Sequence, residues 1–104
     1  MEIDPKDLSQ KLAGENPPLV LDVREAKEWQ AEGIIEGALL IPMNELPARL
    51  TEVPEDREVV TVCHRGMRSY NAAMWLKQMG RNALSMRGGM DAWKANRLPV
   101  ATAR

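Results

Sequence analysis

One cysteine and one histidine in 104 residues set the first limits. A lone thiol, Cys63, cannot close an intramolecular disulfide, and one thiol with one imidazole cannot supply a four-ligand zinc cage. Long apolar runs are missing too. Uncharged stretches such as residues 37–44 fall far short of the roughly 20 residues that cross a bilayer, so no membrane span is predicted. The opening Met1-Glu2-Ile3-Asp4-Pro5-Lys6-Asp7 is acidic and polar, without the basic and apolar regions of a secretory leader. Together with the lone cysteine this predicts a reducing, cytoplasmic setting. No internal repeat or low-complexity segment is visible. A net charge of −1 lacks the excess that marks a nucleic-acid binder, so no nucleic-acid partner is expected.

What is present is an ordinary globular composition, 44% apolar and 28% charged, in a length that predicts a single domain over residues 1–104. The charge is unevenly divided along the chain. Residues 1–56 carry five Lys/Arg against thirteen Asp/Glu, and residues 57–104 carry nine against two. A basic second half would favour an anionic substrate, and predicts that rising salt weakens its capture.

Asp4-Pro5-Lys6-Asp7 reads as a helix start, with Asp4 as N-cap and Pro5 at the first helical position. Leu8 and Leu12 share one face, and Gly14 is a stop. Residues 19–23 form a short branched apolar run that predicts a buried strand, and residues 25–32 a helix ended by Gly33. A second apolar run covers residues 38–41, followed by a short helix capped by Asn44 and running to Leu50. Residues 58–63 are the clearest strand, with three valines and a threonine. A helix is expected over residues 69–79 with Gly80 as its cap, then a weak strand over 82–86 and a last helix over 90–95. Strands alternating with helices imply an α/β fold: a central, mostly parallel sheet of four to five strands with helices on both faces. In such sheets ligands bind outside the carboxyl ends of the strands, which is where Cys63 falls.

The residues that follow sharpen that placement: Cys63-His64-Arg65-Gly66-Met67-Arg68-Ser69. A thiol reacts as the thiolate, a form favoured by cationic neighbours and by a helix N-terminus. Gly66 allows a tight loop in which successive N–H groups converge as an anion-binding nest. The competing reading is a small buried hydrophobe at a strand end.

Four motifs in order make the chain resemble the single-domain rhodanese (thiosulfate sulfurtransferase) family along nearly all its length. Cys63 to Ser69 matches the active-site pattern Cys-x-x-Gly-x-Arg-Ser, and Asp22-Val23-Arg24-Glu25 matches Asp-Val-Arg-Glu. Gly33-Ile34-Ile35-Glu36-Gly37-Ala38 with Ile41-Pro42 resembles Gly-His-Ile-Pro-Gly-Ala…Ile-Pro, departing from it at Ile34 and Glu36. Gly88-Gly89-Met90-Asp91-Ala92-Trp93 matches Gly-Gly-x-x-x-Trp. The resemblance implies a rhodanese-like fold and a double displacement in which Cys63 takes the sulfane sulfur of thiosulfate, or of a related persulfide donor. The resulting persulfide passes that sulfur to cyanide or a thiol, with no cofactor and no metal. It further implies that His64, Arg65, Gly66, Met67, Arg68 and Ser69 form the substrate loop.

Single residues carry two readings each. Arg68 engages the departing sulfite or braces the loop through a carboxylate. Arg65 attracts the donor from the rim or is a solvated loop residue. His64 is a base or points away from the sulfur. Ser69 caps the next helix and donates to Cys63, and Met67 is a pocket wall. Asp22 and Arg24 support the site, more as a loop-fixing pair than as part of its field. Two other functions compete. One is a persulfide carrier serving an acceptor protein. The other is a phosphatase or arsenate reductase, disfavoured because Cys63 and Arg68 are separated by four residues, where phosphatases of that type have five.

Overall fold

Three valines around Thr61 are buried without exception in the structure, a computed structural model that describes residues 1–103. The elements in chain order are β1 (Glu2–Ile3), α1 (Pro5–Leu12), β2 (Leu19–Asp22), α2 (Ala26–Glu32), β3 (Leu39–Leu40), β4 (Val59–Val62), α3 (Met67–Gln78), β5 (Ala83–Met86) and α4 (Gly89–Ala95). The strands form one sheet in the order β1-β5-β4-β2-β3, with every pairing parallel. Central β4 is wrapped on both faces, which is why it reads as an unbroken apolar run rather than an alternating one. The α/β architecture with a parallel sheet is the one expected.

Alternation along the strands sorts their side chains into two cores. Leu21, Val23, Val59 and Ala83 pack with Ala72, Ala73 and Leu76 of α3. Val20, Val60, Val62 and Met86 pack on the other face with Leu8 of α1 and Met90 and Trp93 of α4. Fully burying each of the large aliphatic side chains contributes about 1.5–3 kcal/mol, so the two cores hold the sheet against large conformational entropy.

Four local expectations are corrected. The sheet has an extra edge strand, β1, tied to β5 through Ser85 N–H to Met1 O at 3.0 Å and Arg87 N–H to Ile3 O at 2.8 Å. Two residues are too few to show a period, so only the distant partner defines the strand. Asp4 has the backbone of an N-cap but makes no side-chain cap bond; its carboxylate takes Arg87 Nη1 at 3.1 Å instead. The helix expected from Asn44 to Leu50 is replaced by two 3-10 turns, Met43–Glu45 and Leu50–Glu52. Pro47 between them has no N–H to carry a helical ladder. Finally, α3 begins at Met67 behind Gly66, so Ser69 is its third residue and not its cap.

Register places the functional end. Asp22 pairs with Val62, and Val23 N–H donates to Val62 O at 2.9 Å, so the chain leaving β2 runs beside the chain leaving β4.

Candidate active site

Residues 63–66 turn the chain from β4 into α3, and the turn closes on the sulfur. Cys63 is 1% exposed. Its Sγ receives the N–H of Gly66 at 3.1 Å and of Ser69 at 3.3 Å, and lies 3.4 Å from Ser69 Oγ. Gly66 sits at φ +106°, a left-handed conformation that glycine adopts without steric cost, and a Cβ there would lie 3.2 Å from Gly88 N. N–H groups of a helix's first turn have no partner within the helix. Met67 and Arg68, the first two residues of α3, carry two of these N–H groups.

The far side of the loop is held by the start of α4. Met90 N–H donates to Cys63 O at 2.8 Å and Asp91 N–H to His64 O at 3.0 Å. This approach depends on Gly89, at φ +61°, where a Cβ would collide with the Cys63 and His64 carbonyls. The sequence presents Gly88-Gly89 as the start of a motif ahead of the last helix; its structural task is to let two backbones touch behind the cysteine.

Of the loop side chains only Ser69 makes a hydrogen bond with the sulfur. Arg68 donates to both carboxylate oxygens of Glu28 on α2, at 2.9 Å each. That bidentate pair holds the Glu28 carboxyl at about 2, well below its usual 4.5, first through the Arg68 hydrogen bonds and further through the backbone N–H of Glu25. This is the carboxylate contact that the bracing reading describes. Arg65 is 78% exposed, with Nε 3.3 Å from Asp91 Oδ2. His64 stands between carboxylates, Nδ1 3.6 Å from Glu32 and Nε2 3.5 Å from Asp91, and makes no hydrogen bond to Sγ. Met67, 79% exposed, joins Arg65, Gly66, Tyr70, Asn71 and Glu2 around a depression of about 270 Å³ on the surface beside the loop.

Asp22 and Arg24 form a buried ion pair. Arg24 Nε and Nη2 reach the Asp22 carboxylate at 3.0 and 2.8 Å, and its backbone N–H reaches Oδ1 at 3.1 Å. Nη2 also donates to Gly33 O at 2.8 Å, so the pair ties the end of β2 to the turn after α2. Arg24 Nη1 is 3.6 Å from Glu32 Oε1. Glu28 was absent from the sequence-based candidates, because nothing in a helical Glu marks its distant partner.

Two further residues were missed, Thr61 and Ser85. They pair in register across β4 and β5 under the first turn of α3. Thr61 Oγ1 donates to Ser69 O at 2.7 Å, and Ser85 Oγ lies 2.8 Å from Ser69 Oγ. The five buried polar side chains among the described residues are Asp22, Arg24, Thr61, Ser69 and Ser85, gathered at this end of the sheet. A hydroxyl within an otherwise apolar strand was the available signal.

The basic second half of the chain does not form one field. Arg57 binds the carbonyls of Pro17 and Pro18, and Arg81 those of Leu50 and Val53, before the strands begin. Arg87 pairs with Glu2 and Asp4. Among the described residues no three His, Cys, Asp or Glu side chains gather to hold a metal ion, and no helix is long and apolar enough to cross a membrane.

Known proteins resemble this chain in sequence and in fold. A rhodanese-like domain family profile matches residues 4–96. A sulfurtransferase of Allochromatium vinosum is 44% identical over 95% of this chain and 92% of its own length. A putative sulfurtransferase of Bacillus subtilis, YtwF, is 35% identical over 94% of each. Among solved structures, a rhodanese-related protein from Thermoplasma volcanium superposes with a TM-score of 0.90 at 30% identity, covering 98% of both chains.

Proposed function

The chain belongs to the rhodanese-like domain family, and from that premise we propose that it moves sulfane sulfur from thiosulfate, or a related persulfide donor, through a persulfide on Cys63. Sulfurtransfer is the function its full-length relatives carry by name. The observation behind the finer reading is the pair of N–H donors converging on a buried Sγ at 3.1 and 3.3 Å.

In the first step the Cys63 thiolate attacks the outer sulfur of thiosulfate. The S–S bond of the donor breaks, sulfite departs with the bonding pair, and a Cys63 persulfide remains. In the second step a thiolate or cyanide attacks the terminal sulfur and the Cys63 thiolate leaves. Negative charge stays on sulfur throughout, so preorganised N–H groups assist both halves without rearranging. Gly66 and Ser69 serve Sγ, and the N–H groups of Met67 and Arg68 serve the second sulfur. Arg68 keeps the loop in shape through Glu28. Arg65, His64 and Met67 form the mouth, where an anionic donor and then an acceptor arrive, while Asp22 and Arg24 hold the neighbouring loop. No metal or organic cofactor takes part. The reading places the reaction in the cytoplasm, where a reduced thiol persists.

The acceptor is a small thiol or the thiol of a partner protein; the 79% exposure of Met67 beside the loop supports a protein that reaches the mouth directly. Steady-state kinetics with thiosulfate and cyanide test the order of events. A persulfide intermediate gives parallel double-reciprocal lines. Intersecting lines would mean both substrates must be bound together and would contradict it.

A further inference from the structure

Ser69 Oγ is surrounded by more groups than its single proton can serve. It lies 3.2 Å from Gly66 O, 3.4 Å from Cys63 Sγ and 2.8 Å from Ser85 Oγ, and it is fully buried. Ser85 Oγ, buried as completely, has Ser69 Oγ as its one hydrogen-bond partner among the described residues. A hydroxyl has one donor and two acceptor sites. Were Ser69 to donate to Ser85, the buried Ser85 proton would be left without a protein acceptor, a costly arrangement. The direction is therefore set: Ser85 donates to Ser69. That leaves the Ser69 proton for either Gly66 O or Cys63 Sγ.

We propose that Ser85 is a positioning residue for the nucleophile: by donating to Ser69 Oγ it holds and polarises that hydroxyl, whose proton turns from the Gly66 carbonyl to Cys63 Sγ when the thiol loses its own. With Cys63 protonated, the S–H donates to Ser69 Oγ and Ser69 donates to Gly66 O. With Cys63 ionised, Ser69 O–H becomes a third donor on the sulfur beside the Gly66 and Ser69 N–H groups. Ser85 holds Ser69 Oγ in both states and polarises it in the second. Thr61, opposite Ser85 in the sheet, fixes the backbone of the same residue through Ser69 O. Two strand hydroxyls thus position one serine, one by its main chain and one by its side chain.

The inference rests on Cys63 being the nucleophile, but its test does not require sulfur transfer. The rate of Cys63 alkylation by iodoacetamide is measured against pH for the wild type, Ser85→Ala, Ser69→Ala and the double variant, with melting temperatures alongside. Ser85→Ala is expected to slow alkylation near neutral pH about fivefold, the equivalent of one hydrogen bond. It moves the midpoint of the profile to higher pH while leaving the high-pH plateau unchanged. On the Ser69→Ala background, Ser85→Ala has no further effect on the profile. A Ser85→Ala profile that superposes on the wild type, whatever its melting temperature, would overturn the proposal. So would an undiminished effect on the Ser69→Ala background. Absence of a thiosulfate adduct would instead refute the proposed function and leave these profiles to stand or fall alone.

Discussion

Replacing Asp22 by Asn removes one charge from a pair that is 1% and 0% exposed, at nearly constant shape. Breaking such a pair leaves Arg24 charged in a low-dielectric setting, and the usual cost is about 3–5 kcal/mol. Two partners soften the loss without replacing it. Gly33 O keeps its bond to Nη2 at 2.8 Å, and Glu32 stands 3.6 Å from Nη1 but is itself 36% exposed. Against a total stability of about 5–15 kcal/mol, Asp22→Asn therefore removes a large share, and at roughly 4–8 °C per kcal/mol melting falls by about 12 °C or more. Removing both charges is different. Asp22→Leu with Arg24→Met has no ion to strand, and its main losses are the Gly33 carbonyl's donor and the Arg24 N–H's acceptor, about 1 kcal/mol each. The double variant regains about a third to three-fifths of what Asp22→Asn loses. Urea unfolding followed by tryptophan fluorescence measures both. A single variant within about 1 kcal/mol of the wild type, or a double variant as unstable as the single, would refute the reasoning.

Glu28→Gln unclamps Arg68 and should cost about 1 kcal/mol, since Arg68 is 38% exposed and water partly takes over. Because the folded carboxyl titrates at about 2 against 4.5, that contribution is complete above pH 4.5 and fades as pH falls toward 2; a wild-type advantage unchanged at pH 2 would contradict the assignment. Gly89→Ala forces a Cβ at φ +61° into two carbonyls and should cost about 2 kcal/mol or more while disrupting the cysteine loop, measured by melting and by cyanide turnover. Full activity in that variant would mean α4 does not shape the loop. Raising salt from 50 to 300 mM, both about these values, should change thiosulfate turnover by less than about twofold, because Arg65 and Arg68 already face carboxylates. A steep decline would restore the long-range attraction that the division of charge along the chain suggested.

Much of the fold is legible in local pattern. The branched run before Cys63 announces a buried strand, and the alternation of such runs with helical segments announces the parallel sheet. What fails is whatever depends on a distant partner. Glu2 and Ile3 are a strand only because β5 lies beside them. Asp4 forgoes its cap bond because Arg87, far along the chain, takes the carboxylate. At the site, Cys63 and its loop declare themselves by a motif with a mechanical reason, since only glycine suits the Gly66 turn. The parts that hold them do not. Glu28 is an unremarkable helical residue until Arg68 arrives, and Ser85 matters through its register with Thr61 and its contact with Ser69. The division of charge shows the converse: a pattern plain in the linear sequence disperses once Arg57 and Arg81 fold to the opposite end of the strands from Cys63.

The claim on which the rest depends is that Cys63 accepts a sulfur atom. Intact-mass measurement after incubation with thiosulfate tests it most directly. The account predicts a one-sulfur adduct on the wild type that cyanide removes, and no adduct on Cys63→Ser. An unmodified wild type, or an adduct that survives Cys63→Ser, would contradict it.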